Sequence, residues 1–454
     1  MAKQFDIVIY GATGYTGRLV AEHFVREYGN REDGPAWAMA GRNPDKLAQV
    51  KAEIGAPDST PAIVADAIDT VSLDRMCEQA KVIITTVGPY QLYGEPLLAA
   101  CAKSGTHYAD LCGEPAWMRQ MIDKYHEDAK ASGARISFSS GFDSIPFDLG
   151  VLMLQKEAKE RFGAPCKTVR GRVRAMKGTF SGGTAASLTE SMKAMARDPS
   201  LIKIMRSPFG LTPGFDGPDQ PNGMIPKYES DLGKWAAPFV MAPINTKNVH
   251  RTNFLLGHPW GEDFRYDEMV LTSPGEAGKA AANAAAEMMK NPFGSKPPKP
   301  GEGPTPEERE NGYYDVLFVG ETAAGETLRY AVKGRYDPGY GSTSRMIGET
   351  GIALLESDAP GGIGTYQHHT TTAASVWGRS PARDGSPASG GAHLRVRRGA
   401  LVLVRIVRID SAHPRQHSAS DRFRSSETES SQLEPSETVE GCGLGVEWSP
   451  EGCA

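Results

Sequence analysis

The chain is poor in the residues that would announce a metal or disulfide protein. Its 454 residues include only six cysteines, Cys77, Cys101, Cys112, Cys166, Cys442 and Cys453, and no two form a C-x-x-C pair. That spacing excludes the usual zinc and disulfide frameworks, so no metal is expected and a reducing, cytoplasmic setting is. No apolar run approaches the roughly 18 residues needed to cross a bilayer. Positive charge is not in excess: 50 Lys and Arg stand against 55 Asp and Glu. Nucleic acid is therefore not the expected partner. Lysine itself disappears after Lys333, and from about Gly364 the text turns rich in arginine and serine and holds half of the ten histidines. Either this stretch, residues 364–454, is a disordered tail, or it is read in a different frame from the rest.

What is present is organised by the stretch Phe5 to Gly17. Ile7 to Tyr10 is a short β-branched apolar run, as a buried parallel strand requires. Glycine follows at positions 11, 14 and 17. Gly11 allows a sharp turn, Gly14 lets a pyrophosphate approach the backbone, and Gly17 lets a helix lie close on the strand. The free N–H groups of that helix start, at Tyr15 and Thr16 with Thr13 beside them, would hold phosphates. The second strand, 36–40, ends in Gly41-Arg42. An NAD-specific fold places a carboxylate here, whereas arginine offers a fork of donors to a 2′-phosphate. Lys46, one turn on, adds to it, so the cofactor read from the residues is NADP. Asp66, after the third strand, either reaches the adenine edge or caps the next helix.

Strand and helix alternate about six times up to Pro146, which predicts a parallel sheet with helices on both faces. The fourth strand ends in Val87-Gly88-Pro89-Tyr90, and in such a sheet this end lies beside the nicotinamide. The expected division is a Rossmann domain over 1–150, completed by a helix over 342–356, with an α+β substrate or dimerisation domain over 151–340. Within the second part, 239–245 and 253–254 read as short strands, and 277–289 as an alanine-rich helix. That helix would line an acyl tunnel, lie on a membrane, or be ordinary core.

These stretches together, with Gly105 to Leu111 (GTHYADL), Gly141 to Pro146 (GFDSIP), Ser181 to Thr184 and Ala242 to Thr246 (APINT), resemble the saccharopine dehydrogenase-like oxidoreductases. The resemblance is closest to the mycobacterial trans-acting enoyl reductases and runs from about Phe5 to Ile363. It implies a Rossmann domain binding NADP and an inserted α+β domain. It also implies a lipid or acyl-carrier-bound substrate, a polyketide synthase partner, self-association, and a cytoplasmic location that extends to the membrane periphery. Members tend to end in Gly-Gly-x-Trp-Thr-Pro-Ala and an amphipathic helix, whereas this chain continues Gly361-Gly362-Ile363-Gly364-Thr365-Tyr366. A one-base frame change near Ile363 would produce that departure, and nothing helical is expected after it.

Enoyl reduction needs a hydride, an electrophile on the thioester carbonyl and a proton for the α-carbon. Tyr90 is the first candidate for the proton donor; a packed tyrosine after a Gly-Pro turn is the other reading. Asp143 and Ser144 either face the same crevice or cap the helix that follows. An imine reductase, which would want arginines such as Arg172, Arg174 and Arg251 for substrate carboxylates, and a non-catalytic NADP-binding scaffold are the competing readings. The cofactor assignment makes a direct prediction. Arg42→Ala is expected to cost roughly 1–3 kcal/mol of NADPH affinity, as a lost charge-assisted contact, and to leave NADH unchanged. Titration with both nucleotides checks this, and equal losses would contradict the 2′-phosphate role.

Overall fold

The computed structural model describes residues 3–29, 32–179, 181–289, 299, 301–370, 391–393 and 404–408. The remainder of the expected tail, 364–454, lies outside the described residues. The first half alternates strictly: β1 (Phe5–Tyr10), α1 (Tyr15–Tyr28), β2 (Trp37–Gly41), α2 (Pro44–Glu53), β3 (Ala62–Val64), α3 (Thr70–Gln79), β4 (Ala80–Thr85), α4 (Tyr90–Ser104), β5 (His107–Ala109), α5 (Pro115–Ser132), β6 (Arg135–Ser137) and α6 (Ile145–Phe162). The second half holds β7 (Cys166–Lys177), α7 (Gly182–Arg197), α8 (Leu201–Arg206), β8 (Lys227–Glu229), β9 (Lys234–Pro238), α9 (Ala242–Leu255), β10 (Arg265–Leu271), α10 (Gly275–Met288), α11 (Pro306–Glu310), β11 (Tyr313–Thr322) and β12 (Thr327–Arg335). After a single π turn come α12 (Thr343–Glu356), β13 (Gly362–Gly364), α13 (Tyr366–Thr370), β14 (Gly391–His393) and β15 (Val404–Arg408).

The first sheet is parallel, in the order β13-β6-β5-β4-β1-β2-β3. Its centre is apolar on both faces because successive residues of a strand point opposite ways. Ile7 and Ile9 pack with Phe24, Val82, Ile84, Ile347 and Leu354 on one side. Val8 and Tyr10 pack with Ile83, Leu97, Leu98, Met118 and Met121 on the other. This is the doubly wound arrangement, and its strand order reverses between β1 and β4, where ligands bind in such sheets. α12 lies on the first of these faces, and its buried Glu349 accepts from the Tyr28 hydroxyl at 3.0 Å and meets His23 at 2.7 Å.

The second sheet runs β14-β15-β12-β11-β7-β10-β9-β8, with only β7 and β10 parallel. α6 and α9 cover one face of it, packing Phe147, Leu154 and Val249 against Val316 and Phe318. α6 springs from the carboxyl end of β6, so the two sheets share the crevice at its start.

Three expectations are corrected here. Of the residues read as strands over 239–245 and 253–254, 239–241 form a turn and the rest belong to α9, a helix buried nearly all round. Pro243 sits in its first turn, where proline needs no N–H partner, and the many Asn and Thr side chains disguise it as loop. The alanine-rich helix, α10, buries only Gly278 and Ala282, so it is not an ordinary core helix. Finally, Gly362–Gly364 pairs with β6 and the chain then turns into α13. Thr365 takes the His368 N–H at 3.3 Å and buried Tyr366 anchors that turn in the core of the second sheet. No helix among the described residues is long and apolar enough to cross a membrane.

Candidate active site

The nucleotide end of the site is built by the β1–α1 turn. Gly11 has φ +86°, in the left-handed region. At Gly17 a Cβ would fall 2.1 Å from the Gly11 carbonyl oxygen, so only glycine lets α1 start this close to the strand. The first helical N–H bond at this end, Arg18 to Gly14 O, is 3.0 Å, which leaves the N–H groups of Tyr15, Thr16 and Gly17 facing outward from the helix end. The Gly14 N-cap position brings no side chain to occupy them. Thr86 and Val87 lie beneath, their side chains within 3 Å of where a Gly11 Cβ would stand. At the end of β2, Gly41 is buried while Arg42 and Lys46 are exposed, with no hydrogen bond or ion pair on their side chains among the described residues. Asn43 is occupied as the cap of α2, accepting from Lys46 N at 2.9 Å. Asp66 does not cap α3; Asp69 does, and Asp66 accepts from Ile68 N at 3.2 Å. A glycine cradle, open helix N–H groups and a free guanidinium after β2 fit a dinucleotide carrying a 2′-phosphate.

The opposite end of the site lies at the carboxyl ends of β4, β5 and β6. Gly88 is exposed and leads into α4, which starts at Tyr90. Buried Glu114 crosses over to accept from the N–H groups of Tyr90 (3.0 Å) and Gln91 (2.9 Å), capping α4 from a neighbouring segment. The Tyr90 ring is buried against Trp117, and its hydroxyl donates to Thr85 O at 3.4 Å and accepts from Leu111 N at 3.1 Å. Burial pushes that phenol well above its ordinary range. Both bonds turn Tyr90 toward the sheet edge as a strut, which corrects the picture of a free phenol in the crevice. Asp110 is likewise spoken for, by Cys112 N, Ser139 N and the Tyr108 hydroxyl, and burial raises it to about 7.

Asp143 and Ser144 follow β6. Burial raises Asp143 to about 7, and its Oδ1 is buried without a hydrogen-bond partner. Ser144 stands at the N-cap position of α6, but its side chain makes no capping bond. Instead its Oγ accepts from Asn248 Nδ2 of α9 at 2.6 Å. One turn away on α9, Asn245 donates to buried Glu268 of β10 at 2.9 Å. Glu268 also accepts from the Tyr266 hydroxyl at 2.8 Å. Burial, with Asp143 among its neighbours, lifts Glu268 well above the carboxylate range. The Oδ1 atoms of Asn245 and Asn248 are buried and unpartnered as well. The structure thus gathers Asp143, Ser144, Asn245, Asn248 and Glu268 where the two sheets meet. Sequence reasoning missed the last three. Ala242 to Thr246 was a visible motif, but its polar residues gain meaning only once α9 faces the β6–α6 junction. In the Ser181 to Thr184 turn two backbone donors are engaged, Ser181 N by the Tyr340 hydroxyl (2.6 Å) and Gly182 N by Glu302 O (3.2 Å).

A doubly wound nucleotide cradle facing a cluster of buried, protonatable groups defines a nucleotide-dependent oxidoreductase. Residues 7–136 match the saccharopine dehydrogenase NADP binding domain family. Over 376 residues the chain is 39% identical to a Mycobacterium tuberculosis protein named, by inferred role, a trans-acting enoyl reductase; the match takes in 78% of this chain and 89% of that one. It is 35% identical over 379 residues to the trans-acting enoyl reductase of Mycobacterium ulcerans, with the same coverage. Among solved structures, saccharopine dehydrogenase (L-Glu forming) from Saccharomyces cerevisiae is 12% identical, with a TM-score of 0.43 over 81% of this chain and 95% of that one. The chain belongs to the saccharopine dehydrogenase-like family of NADP-dependent oxidoreductases, alongside the mycobacterial trans-acting enoyl reductases.

The buried carboxyls set a pH dependence. Asp148, beside this cluster, accepts from Thr252 Oγ1 at 2.6 Å, yet burial still raises it to about 7. An acid whose folded pKa lies above its unfolded value of about 4 stabilises the fold below that value, and the contribution is lost as pH rises through about 7. Asp148→Asn, which mimics the protonated acid, is therefore expected to gain stability relative to the unaltered protein between pH 4 and pH 8. Urea midpoints across that range check it; a constant gap would contradict the assignment.

Proposed function

We propose that this chain reduces the α,β-double bond of an acyl thioester borne by a separate biosynthetic enzyme, with a polyketide synthase as the partner. Bound NADPH would supply the hydride, which goes to the β-carbon of the substrate. Gly11, Thr13, Gly14, Tyr15, Thr16 and Gly17 would hold its pyrophosphate, Arg42 and Lys46 its 2′-phosphate, with Gly41 and Asp66 along the adenosine side. Val87 and Gly88 would flank the nicotinamide. Ser144 acts as electrophile: with its lone pair taken by Asn248, its proton is directed to the thioester carbonyl, where negative charge develops as hydride arrives. Asp143 then gives its proton to the α-carbon and is recharged from solvent.

The observation that carries this reading is the unpartnered Oδ1 of Asp143, on a carboxyl that holds its proton up to about pH 7. An acid poised near the working pH is what proton donation requires. The imine-reductase reading is less favoured because its arginines are already engaged. Arg172 is buried between Glu229 (2.7 Å) and Asp267 (3.0 Å), Arg174 pairs with Asp315 at 2.6 Å, and Arg251 donates to the carbonyls of Leu211 and Ile363. Each is held by partners within the fold, and Arg251, whose Nε alone lacks one, is buried.

Asp143→Asn is expected to lower kcat for an enoyl thioester by about 10²-fold or more, while the Kd for NADPH stays unchanged. In the unaltered enzyme kcat should fall as pH rises through about 7, because the acid must be protonated to act. Absorbance at 340 nm follows both; full activity in the variant, or a flat profile, would contradict the role of Asp143.

A further inference from the structure

α7 packs against α4, and α8 against α5. α7 buries only Gly182, Ala185 and Ser191. It is tied to the nicotinamide turn by Ser191, which accepts from Gln91 Nε2 at 3.0 Å, and by Ser187, whose hydroxyl lies 3.8 Å from where a Gly88 Cβ would stand. Outward along the same seam lie large exposed apolar side chains: Leu92 (49% exposed) and Tyr93 (40%) on α4, Leu188 (37%) and Met192 (61%) on α7. Leu188 and Met192 are four residues apart and so share one helix face.

The strip ends at positive charge. Beyond Met192 come Lys193, Arg197, Lys203 and Arg206, against only two carboxylates, Glu190 and Asp198. Lys193 is paired with Glu190 at 2.7 Å, and Asp198 is turned to Ser200. The nearby charges of α4 and α5 are paired among themselves, Arg119 with Asp123 and Lys124 with Glu95. The side chains of Arg197, Lys203 and Arg206 carry no hydrogen bond or ion pair among the described residues. Lys203 and Arg206 line an open hollow of about 550 Å³ with Pro199, Ile202 and Ser207. From Ser187 to Arg197 is ten residues of helix, about 15 Å, with the hollow just beyond.

We propose that this face receives the phosphopantetheine arm of an acidic carrier protein. The phosphodiester rests in the Lys203–Arg206 hollow, the arm runs over Met192 and Leu188, and the thioester arrives at Gly88 and Ser144. The length of α7 matches an extended arm. The cations exceed what one phosphodiester neutralises, and Arg197 is left for the carrier's own carboxylates. The inference rests on the thioester-reduction reading.

Its test compares one enoyl group on three thioesters: carrier protein, coenzyme A and N-acetylcysteamine, the last lacking both phosphate and most of the arm. The Lys203→Glu/Arg206→Glu variant is expected to raise KM at least tenfold for the first two and to leave kcat/KM for the third, and the Kd for NADPH, unchanged. Arg197→Glu should raise KM for the carrier-borne substrate alone. Equal losses on all three substrates, or no change on any, would overturn the assignment. So would charge-dependent binding to anionic lipid vesicles without any effect on the carrier-borne thioester. If the unaltered enzyme reduces none of the three, the thioester reading fails. Titration of the NADPH-saturated protein with the phosphopantetheinylated carrier then judges the surface by itself: binding weakened tenfold by the double variant supports it, and unchanged or absent binding overturns it.

Discussion

The structure depends on how closely α1 can approach β1. With the Gly11 carbonyl only 2.1 Å from where a Gly17 Cβ would lie, any larger residue there would push the helix off the sheet. The open N–H groups at its start would then no longer sit over the reversal in strand order. Everything chemical follows from that placement. The β2 end carries Arg42 on one side, and the β4 end carries Gly88 on the other, where the proposed dinucleotide would span the carboxyl edge of the sheet.

The second sheet is what turns a nucleotide-binding edge into a reaction site. α6 grows directly out of the β6 loop, and α9 packs beside it, presenting Asn248 to Ser144 of that loop and Asn245 to Glu268 of β10. Burying so many polar groups on one helix is costly unless each finds a partner. Most do; those that do not are the Oδ1 atoms of Asn245 and Asn248, which neighbour the equally unpartnered Asp143 Oδ1, and His250 Nε2 and Arg251 Nε on the same helix. The same burial keeps Asp143 and Glu268 protonated at higher pH than ordinary carboxyls, giving a water-poor site its store of protons.

The parts legible in the sequence were those governed by local rules. β1, β2 and β4 each carry a short apolar run that closes at or near a glycine, and the glycine turn announces its own geometry. The exposed place of Arg42 was legible because it directly follows the buried end of the second strand. Less legible were features set by partners distant in sequence. Glu114 caps α4 from 24 residues away, and nothing near Tyr90 signals that its hydroxyl is tied to Thr85 and Leu111. α9 looked like loop and short strand because Asn and Thr favour such states in isolation; tertiary contacts overrode that preference. α13 was missed because a composition break was read as the end of structure, whereas backbone pairing of Gly362–Gly364 with β6 asks little of side chains.

The central claim is that nucleotide and acid meet across an alkene at this edge. Incubation with NADPH deuterated at the transferred position of C4 and an enoyl thioester in ordinary water, followed by mass spectrometry of the product, tests it most directly. The account predicts one deuterium on the β-carbon and a solvent-derived hydrogen on the α-carbon. Saturated product without deuterium, or deuterium found at the carbonyl carbon, would contradict it.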